Sequence, residues 1–505
     1  MNPFDVVACR SASASYPGRA PFSPGERYPE SPFPDLSGEP NAVYETVRRT
    51  LRVAGLDAER FGTAAWNPLG RWIRPGDTVM LKPNMVKESH PRDPDGWRYV
   101  LTHGSVIRAV ADFVAIALSG SGRIWLADAP QTDSSWERIV GVLELDALAA
   151  FYRSRGVPFE LVDLRREEWT HRDGVVFSRR PLAGDPRGYV AFDLGEGSEF
   201  FGHRGEGRYY GADYVTSEVN AHHSGRRHEY LISGSAVAAD VFINLPKLKT
   251  HKKAGITCSL KNLVGINGDK NWLPHHTVGD PTEGGDEVPS ATWRHRLERR
   301  GVRLLRETAL ALPVVGPRLF HRVKRAGRVA FGDTETVVRS GNWFGNDTTW
   351  RMCLDLNKAL LYGRPDGALL AATAGNRKRY LSLVDGIVAG EGRGPMNPDP
   401  VACGIVLFGE DPVAVDTACA VFMGFDPDKI PIVREAYRAR GWRLTDVDPA
   451  SVAILSDEPS WRGGLTSLSP DALFRFRPHF GWTGRIEAGR KTATDLSAIP
   501  HRAVT

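Results

Sequence analysis

A chain of 505 residues, 41% hydrophobic and 25% charged, has enough apolar material for a sizeable core and is excluded from the disordered, collagen-like and coiled-coil classes. Its 52 glycines and 35 prolines favour many short elements joined by shaped loops over a helical bundle. The net charge of +5 is regional: between Arg294 and Arg328 eleven basic side chains face only Glu298 and Glu307, so the remainder is slightly acidic.

In chain order, residues 1–65 read as an arm, with a Pro/Ser/Gly-rich lead followed by the helical stretch AVYETVRRTLRVAGL. A first α/β part is expected over 66–269. It opens with the apolar run of RPGDTVMLKPN, then a helix with Thr102 as N-cap and Gly120 as its stop, then a second apolar run, GRIWLADAP. That order is a βαβ unit, which implies a parallel sheet with Lys82, Asn84 and Asp128 at the carboxyl ends of its strands. A helix over Leu143–Arg155 and the strand FELVDL follow, then an antiparallel excursion over 165–232 and the buried strand VFINL. Residues 270–345 read as a basic, helical insertion. Residues 346–440 read as a second α/β part, in which VAGEGRGPMNPDP is a loop and Asp411 caps a helix that stops at Gly424. Residues 441–505 complete the chain as an irregular extension.

The fold class is therefore α/β, a parallel-sheet core of βαβ units with a basic helical insertion and irregular terminal extensions. No run of 18 apolar residues occurs and the opening residues lack the order of a secretion signal, which predicts a cytoplasmic protein. Five cysteines lie far apart without a C-x-x-C pair, so no disulfide framework and no iron–sulfur cluster is expected.

Lysine usage is the sharpest signal. Only 13 of the 65 basic residues are lysine, yet six (Lys247, Lys249, Lys252, Lys253, Lys261, Lys270) fall within 247–270, a window without arginine. Compact ammonium groups beside Gly255, Gly265 and Gly268, which allow close backbone approach, suit a phosphate or carboxylate ligand. Lys261 lies among Ile256, Leu260, Leu263 and Val264; a lysine in apolar surroundings loses proton affinity and can act as a base or Schiff-base former, and His251 suits a partner base, a metal ligand or a hydrogen-bonded loop histidine. Lys82, Asn84, Asp128, Lys247, Lys249, Asn262, Asp385, Glu391 and Arg393 complete the predicted substrate-binding set. His275 and His276, followed by Asp280, Glu283, Asp286 and Glu287, have the composition of a divalent-metal site, and His222, His223 and His228 form a similar cluster. A Walker A loop, a nucleophile elbow and a strand-linked dinucleotide fingerprint are all missing, which removes the main support for ATPase, hydrolase and NAD-enzyme readings.

The segments LKPNMV, ADVFINLPKLKTH, GITCSLKNLVGING, DGIVAGEGRGP and GEDPVAVDTACAVFMGFDP resemble the domain-of-unknown-function 362 family over roughly residues 70–430. The variant with NGDKNWLPHHTVGDPTEGGDE is similar to members associated with bacterial polysaccharide gene clusters. Some relatives carry ferredoxin-like cysteine runs, which this chain lacks. His251 and Lys261, ten residues apart, also resemble the histidine and lysine that serve the cofactor in nickel-pincer lactate racemase-type proteins, although CSL replaces the glycine pair before the lysine.

These readings predict an enzyme that binds an anionic, polyhydroxylated small molecule, such as a sugar phosphate or hydroxy acid, and moves a proton as an isomerase, epimerase or lyase does. The alternative is a non-catalytic peripheral protein whose 294–328 segment docks on anionic lipid or a polyprenyl-phosphate carrier. The amphipathic helices there also suit an oligomer contact, and nucleic acid is the least supported partner because no aromatic stacking series accompanies the basic run.

Overall fold

The computed structural model describes residues 5–172, 175–211, 216–289, 338 and 340–489. The basic stretch 294–328 and the helices expected in it lie outside the described residues.

The architecture is a mixed twelve-stranded sheet between two layers of helices. Its strands are β1 (Val6–Arg10), β2 (Thr78–Pro83), β3 (Arg123–Asp128), β4 (Phe159–Asp163), β5 (Val241–Leu245), β6 (Lys247–His251), β7 (Gly255–Thr257), β8 (Arg379–Arg393), β9 (Asn397–Val401), β10 (Ile405–Gly409), β11 (Ala453–Leu455) and β12 (Gly463–Gly464). Nine of them run in the order β12-β11-β1-β10-β8-β5-β2-β3-β4, with β6, β7 and β9 attached at the carboxyl end of β8. Pairing is parallel from β8 through β5, β2 and β3 to β4, and antiparallel where β10 joins β8 and β1.

Period-two burial explains the layering. Val79, Leu81, Ile124, Leu126, Val241 and Ile243 point to one face, where α1 (Ala42–Val53), α2 (Gly104–Leu118), α3 (Trp136–Val142) and α4 (Leu145–Ser154) cover them. Met80, Trp125, Ala127, Phe242 and Tyr380 point to the other, beneath α5 (Ser259–Asn262), α6 (Thr349–Tyr362) and α7 (Pro412–Phe422).

Four expectations change. The lead is more than an arm, because its VVACR segment is a fully paired strand between β10 and β11. The helix expected from Leu143 begins at Leu145 and is separated from α3 at Glu144, whose φ of +53° is left-handed. The N-cap of α2 is His103, whose ring accepts from Ser105 N; Thr102 Oγ1 instead accepts from Asn84 N at 2.9 Å and donates to Leu245 O at 2.6 Å. Thr102 therefore clamps the ends of β2 and β5 together. The glycine-rich loop after Asp385 is a hairpin, since β8 runs on to Arg393 and pairs with β9.

Candidate functional site

Chain order along the parallel block reverses between β2 and β5. From β2 the chain winds outward through α2 to β3 and then β4, whereas β5 lies on the other side of β2 and leads to β8. In open α/β sheets the crevice beyond the carboxyl ends at such a reversal is where ligands bind. Here those carboxyl ends carry Lys82 and Asn84 after β2, Asp128 ending β3 and Asn244 ending β5, with α5, which bears Lys261 and Asn262, packed against them.

Buried amides organise the floor. Asn262 Nδ2 donates to Asn244 Oδ1 at 2.7 Å, and its Oδ1 accepts from Asn84 Nδ2 at 2.8 Å. Asn244 Nδ2 in turn reaches Ser259 O and Tyr380 Oη. Asp416 of α7 accepts from the backbone N–H groups of Ser259 and Leu260 at 2.6 and 3.0 Å, fixing the start of α5; burial pushes its carboxyl up to about 7.

The lysines divide into two groups. Lys82 is ion-paired with Asp128 at 2.8 Å, and Lys247 with Asp385 at 3.1 Å, all four side chains being nearly or wholly buried. Asp385 also accepts from Tyr16 Oη at 2.7 Å and from His103 N at 3.0 Å, which ties the N-terminal segment and α2 to β8. These two pairs arrive neutralised, so Lys82, Lys247, Asp128 and Asp385 have their charges engaged within the protein. The second group has no carboxylate partner among the described residues. Lys249 Nζ donates to Asn84 Oδ1 at 3.1 Å and Val100 O at 2.5 Å, Lys253 Nζ to His275 O at 3.1 Å, and Lys270 Nζ to Val264 O at 2.8 Å. Lys261 is 8% exposed, and its Nζ has neither a hydrogen-bond nor an ion-pair partner among the described residues.

Lys82, Lys249, Lys253, Lys270, His251 and His275 all lie within electrostatic reach of Lys261. Burial lowers proton affinity throughout: Lys270 is pushed down to about 7, Lys253 to about 8, and Lys249 and Lys261 fall in the same direction. Together they form a concentration of positive charge that an anion would relieve.

The histidines take different parts from those expected of them. His251 Nδ1 accepts from the backbone N–H of Lys253 and of Ala254, so the proton of the neutral ring sits on Nε2 and the side chain is a donor, unsuited to serve as the base. His275 is the reverse. Its Nδ1 is 3.1 Å from Leu273 O and must donate there, which leaves the Nε2 lone pair available; burial and neighbouring lysines keep both rings neutral. His276 points away from His275 toward Asp286, 3.6 Å distant, as adjacent residues on extended chain do. Among the described residues no three His, Cys, Asp or Glu side chains converge on one point, so the chemistry of the donors around Lys261, largely cationic, does not fit a bare divalent metal. His223 and His228 instead lie in the apolar group around Phe200 and Tyr230.

Glu391 and Arg393 stand apart. Glu391 accepts from Arg477 N at 2.7 Å, and Arg393 is exposed; neither makes a hydrogen bond or ion pair to the lysine group. Residues that sequence reasoning did not place here are Tyr16, Asn244 and Thr102, whose roles depend on distant partners, and Lys270, which the lysine bias pointed to without assigning.

Gly265 permits the closest approach. A Cβ there would lie 1.9 Å from Asp128 Oδ1 and 2.6 Å from Lys82 Nζ. Gly265→Ala is therefore expected to wedge this pair apart and lower the melting temperature by several degrees in a calorimetric scan, on the order of 1–3 kcal/mol.

Residues 206–421 match the family described as a domain of unknown function, DUF362. A thylakoid-associated protein of Synechocystis sp. is 23% identical over 363 residues, covering 72% of this chain and 68% of that protein. The family match takes in Lys249, His251, Lys261, Lys270 and His275, whereas Lys82 and Asp128 precede it. Through these residues the chain is similar to the DUF362 family.

Proposed function

We propose that the protein is an enzyme that binds a small, oxygen-rich anion, of the sugar phosphate or hydroxy acid type, at the β2–β5 switch point and moves a proton at a carbon beside its oxygenated carbon. The observation that supports this most is Lys261, a nearly buried amine with no hydrogen-bond or ion-pair partner among the described residues, close to Lys249, Lys253 and Lys270, which form no ion pair there either. Lys249, Lys253 and Lys270 supply the charge for the anion, His251 Nε2–H a donor for its oxygen, and Lys261 and the His275 lone pair the groups free to exchange a proton.

Sulfate keeps its charge across the relevant pH range and serves as the probe. Because Lys270 and Lys253 bind protons fully only below about 7 and 8, sulfate binding draws protons onto them. The rise in melting temperature caused by sulfate, against chloride at equal ionic strength, is expected to be large at about pH 6 and to vanish by about pH 9. A rise independent of pH, or none at all, contradicts the assignment.

A second reading rests on the name of the thylakoid-associated relative and the basic run 294–328: peripheral attachment to an anionic membrane. No helix among the described residues is long and apolar enough to cross a membrane. Co-sedimentation with phosphatidylglycerol vesicles, lost at high salt and lost on deleting 294–328, is the expected result if attachment occurs. Failure to sediment at low salt overturns it.

A further inference from the structure

Lysine side chains in folded proteins normally have their ammonium groups in water or bonded to oxygen. Lys249, Lys253 and Lys270 follow this rule even in the crowded crevice, each finding a carbonyl. Among the described residues Lys261 alone of this group lacks an oxygen partner, and α5 is held by the Asp416 and Asn262 bonds rather than by its amine. Its neighbours Lys253 and His275 are only half-buried, so the amine lies just beneath the surface on their side. In its neutral form, which burial favours, an amine without a partner has its lone pair available, and the surrounding cations attract an anionic reactant.

We propose that Lys261 acts covalently, forming an imine with an anionic carbonyl compound of the 2-oxo acid or keto-sugar phosphate class, and that His275 Nε2 removes the proton from the carbon next to the imine. This deepens the proposed function and rests on it. The Nζ lone pair attacks the carbonyl carbon as the C=O π pair moves to oxygen. Both amine protons pass to that oxygen, which leaves as water, and a solvent proton charges the resulting C=N. Loss of the neighbouring C–H proton to His275 places its electron pair in an enamine; return of a proton and addition of water release the rearranged carbonyl compound and the free amine. No oxidant or reductant is consumed.

The test uses the full chain with glyoxylate and sodium cyanoborohydride near neutral pH, followed by peptide mapping. Lys261 is expected to be alkylated first among the 13 lysines, with sulfate slowing it, and the label is expected to be absent from Lys261→Gln. Labelling of other lysines while Lys261 stays unmodified overturns the covalent role. If sulfate still shows its pH-dependent stabilisation, only the covalent step has failed; if that too is absent, the anion site has failed with it. Pyruvate in deuterium oxide gives a readout of the proton step: methyl exchange should require both Lys261 and His275, and His275→Asn should lose exchange yet keep the Lys261 label. Exchange that survives in His275→Asn removes that histidine from the step.

Discussion

Asp385→Ala is expected to destabilise the protein by about 3–5 kcal/mol, the range for breaking a buried ion pair from one side. The carboxylate is fully buried and holds Lys247 Nζ, Tyr16 Oη and His103 N at once. Its removal leaves the Lys247 ammonium, also fully buried, facing only Tyr16. The consequence is a shift in denaturant midpoint with the urea slope unchanged. The double variant Asp385→Ala/Lys247→Met should recover part of the loss, because it removes the orphaned charge along with its partner. Equal losses in the single and double variants would show that the Tyr16 and His103 bonds, not the ion pair, carry the energy.

Lys261→Met is expected to act in the opposite direction, raising stability by about 1–3 kcal/mol while removing the site's chemistry. Methionine is of similar volume and relieves a nearly buried side chain whose amine has no hydrogen-bond partner among the described residues. Removing this charge also eases the repulsion felt by Lys249 and Lys270, so sulfate should protect the variant less. A thermal scan with and without sulfate measures both effects. A fall in melting temperature would mean that the amine is satisfied in solution and that Lys261 is a packing residue.

The central strands of the core were legible because VFINL, RIWLAD and IVLFG are short apolar runs bounded by turn residues, and such runs need burial on both faces. Strand β6 was harder, since KLKTH reads as polar loop, yet all five residues are buried and its lysines lie within the fold. The lysine bias led to a region where six lysines gather, but spacing could not separate the ion-paired Lys82 and Lys247 from Lys249 and Lys261, because the deciding carboxylates, Asp128 and Asp385, are on other strands. The histidine roles were equally hidden: which ring nitrogen is free depends on whether Nδ1 meets an N–H, as in His251, or a carbonyl, as in His275. Strand β1 escaped notice because VVACR is too short to show a period and both of its neighbours come from beyond residue 400.

Strand β1 is synthesised long before its flanking strands, Ile405–Gly409 and Ala453–Leu455. Until β10 is made this apolar ribbon has no edge to join, and Tyr16 behind it has no Lys247 to meet until β6 has emerged. Folding of such a topology is slow and leaves a sticky segment open to chance pairing. Maturation of the lysine-rich region is thus coupled to the appearance of β10, and nascent chains stalled before β10 should be the ones that chaperones retain.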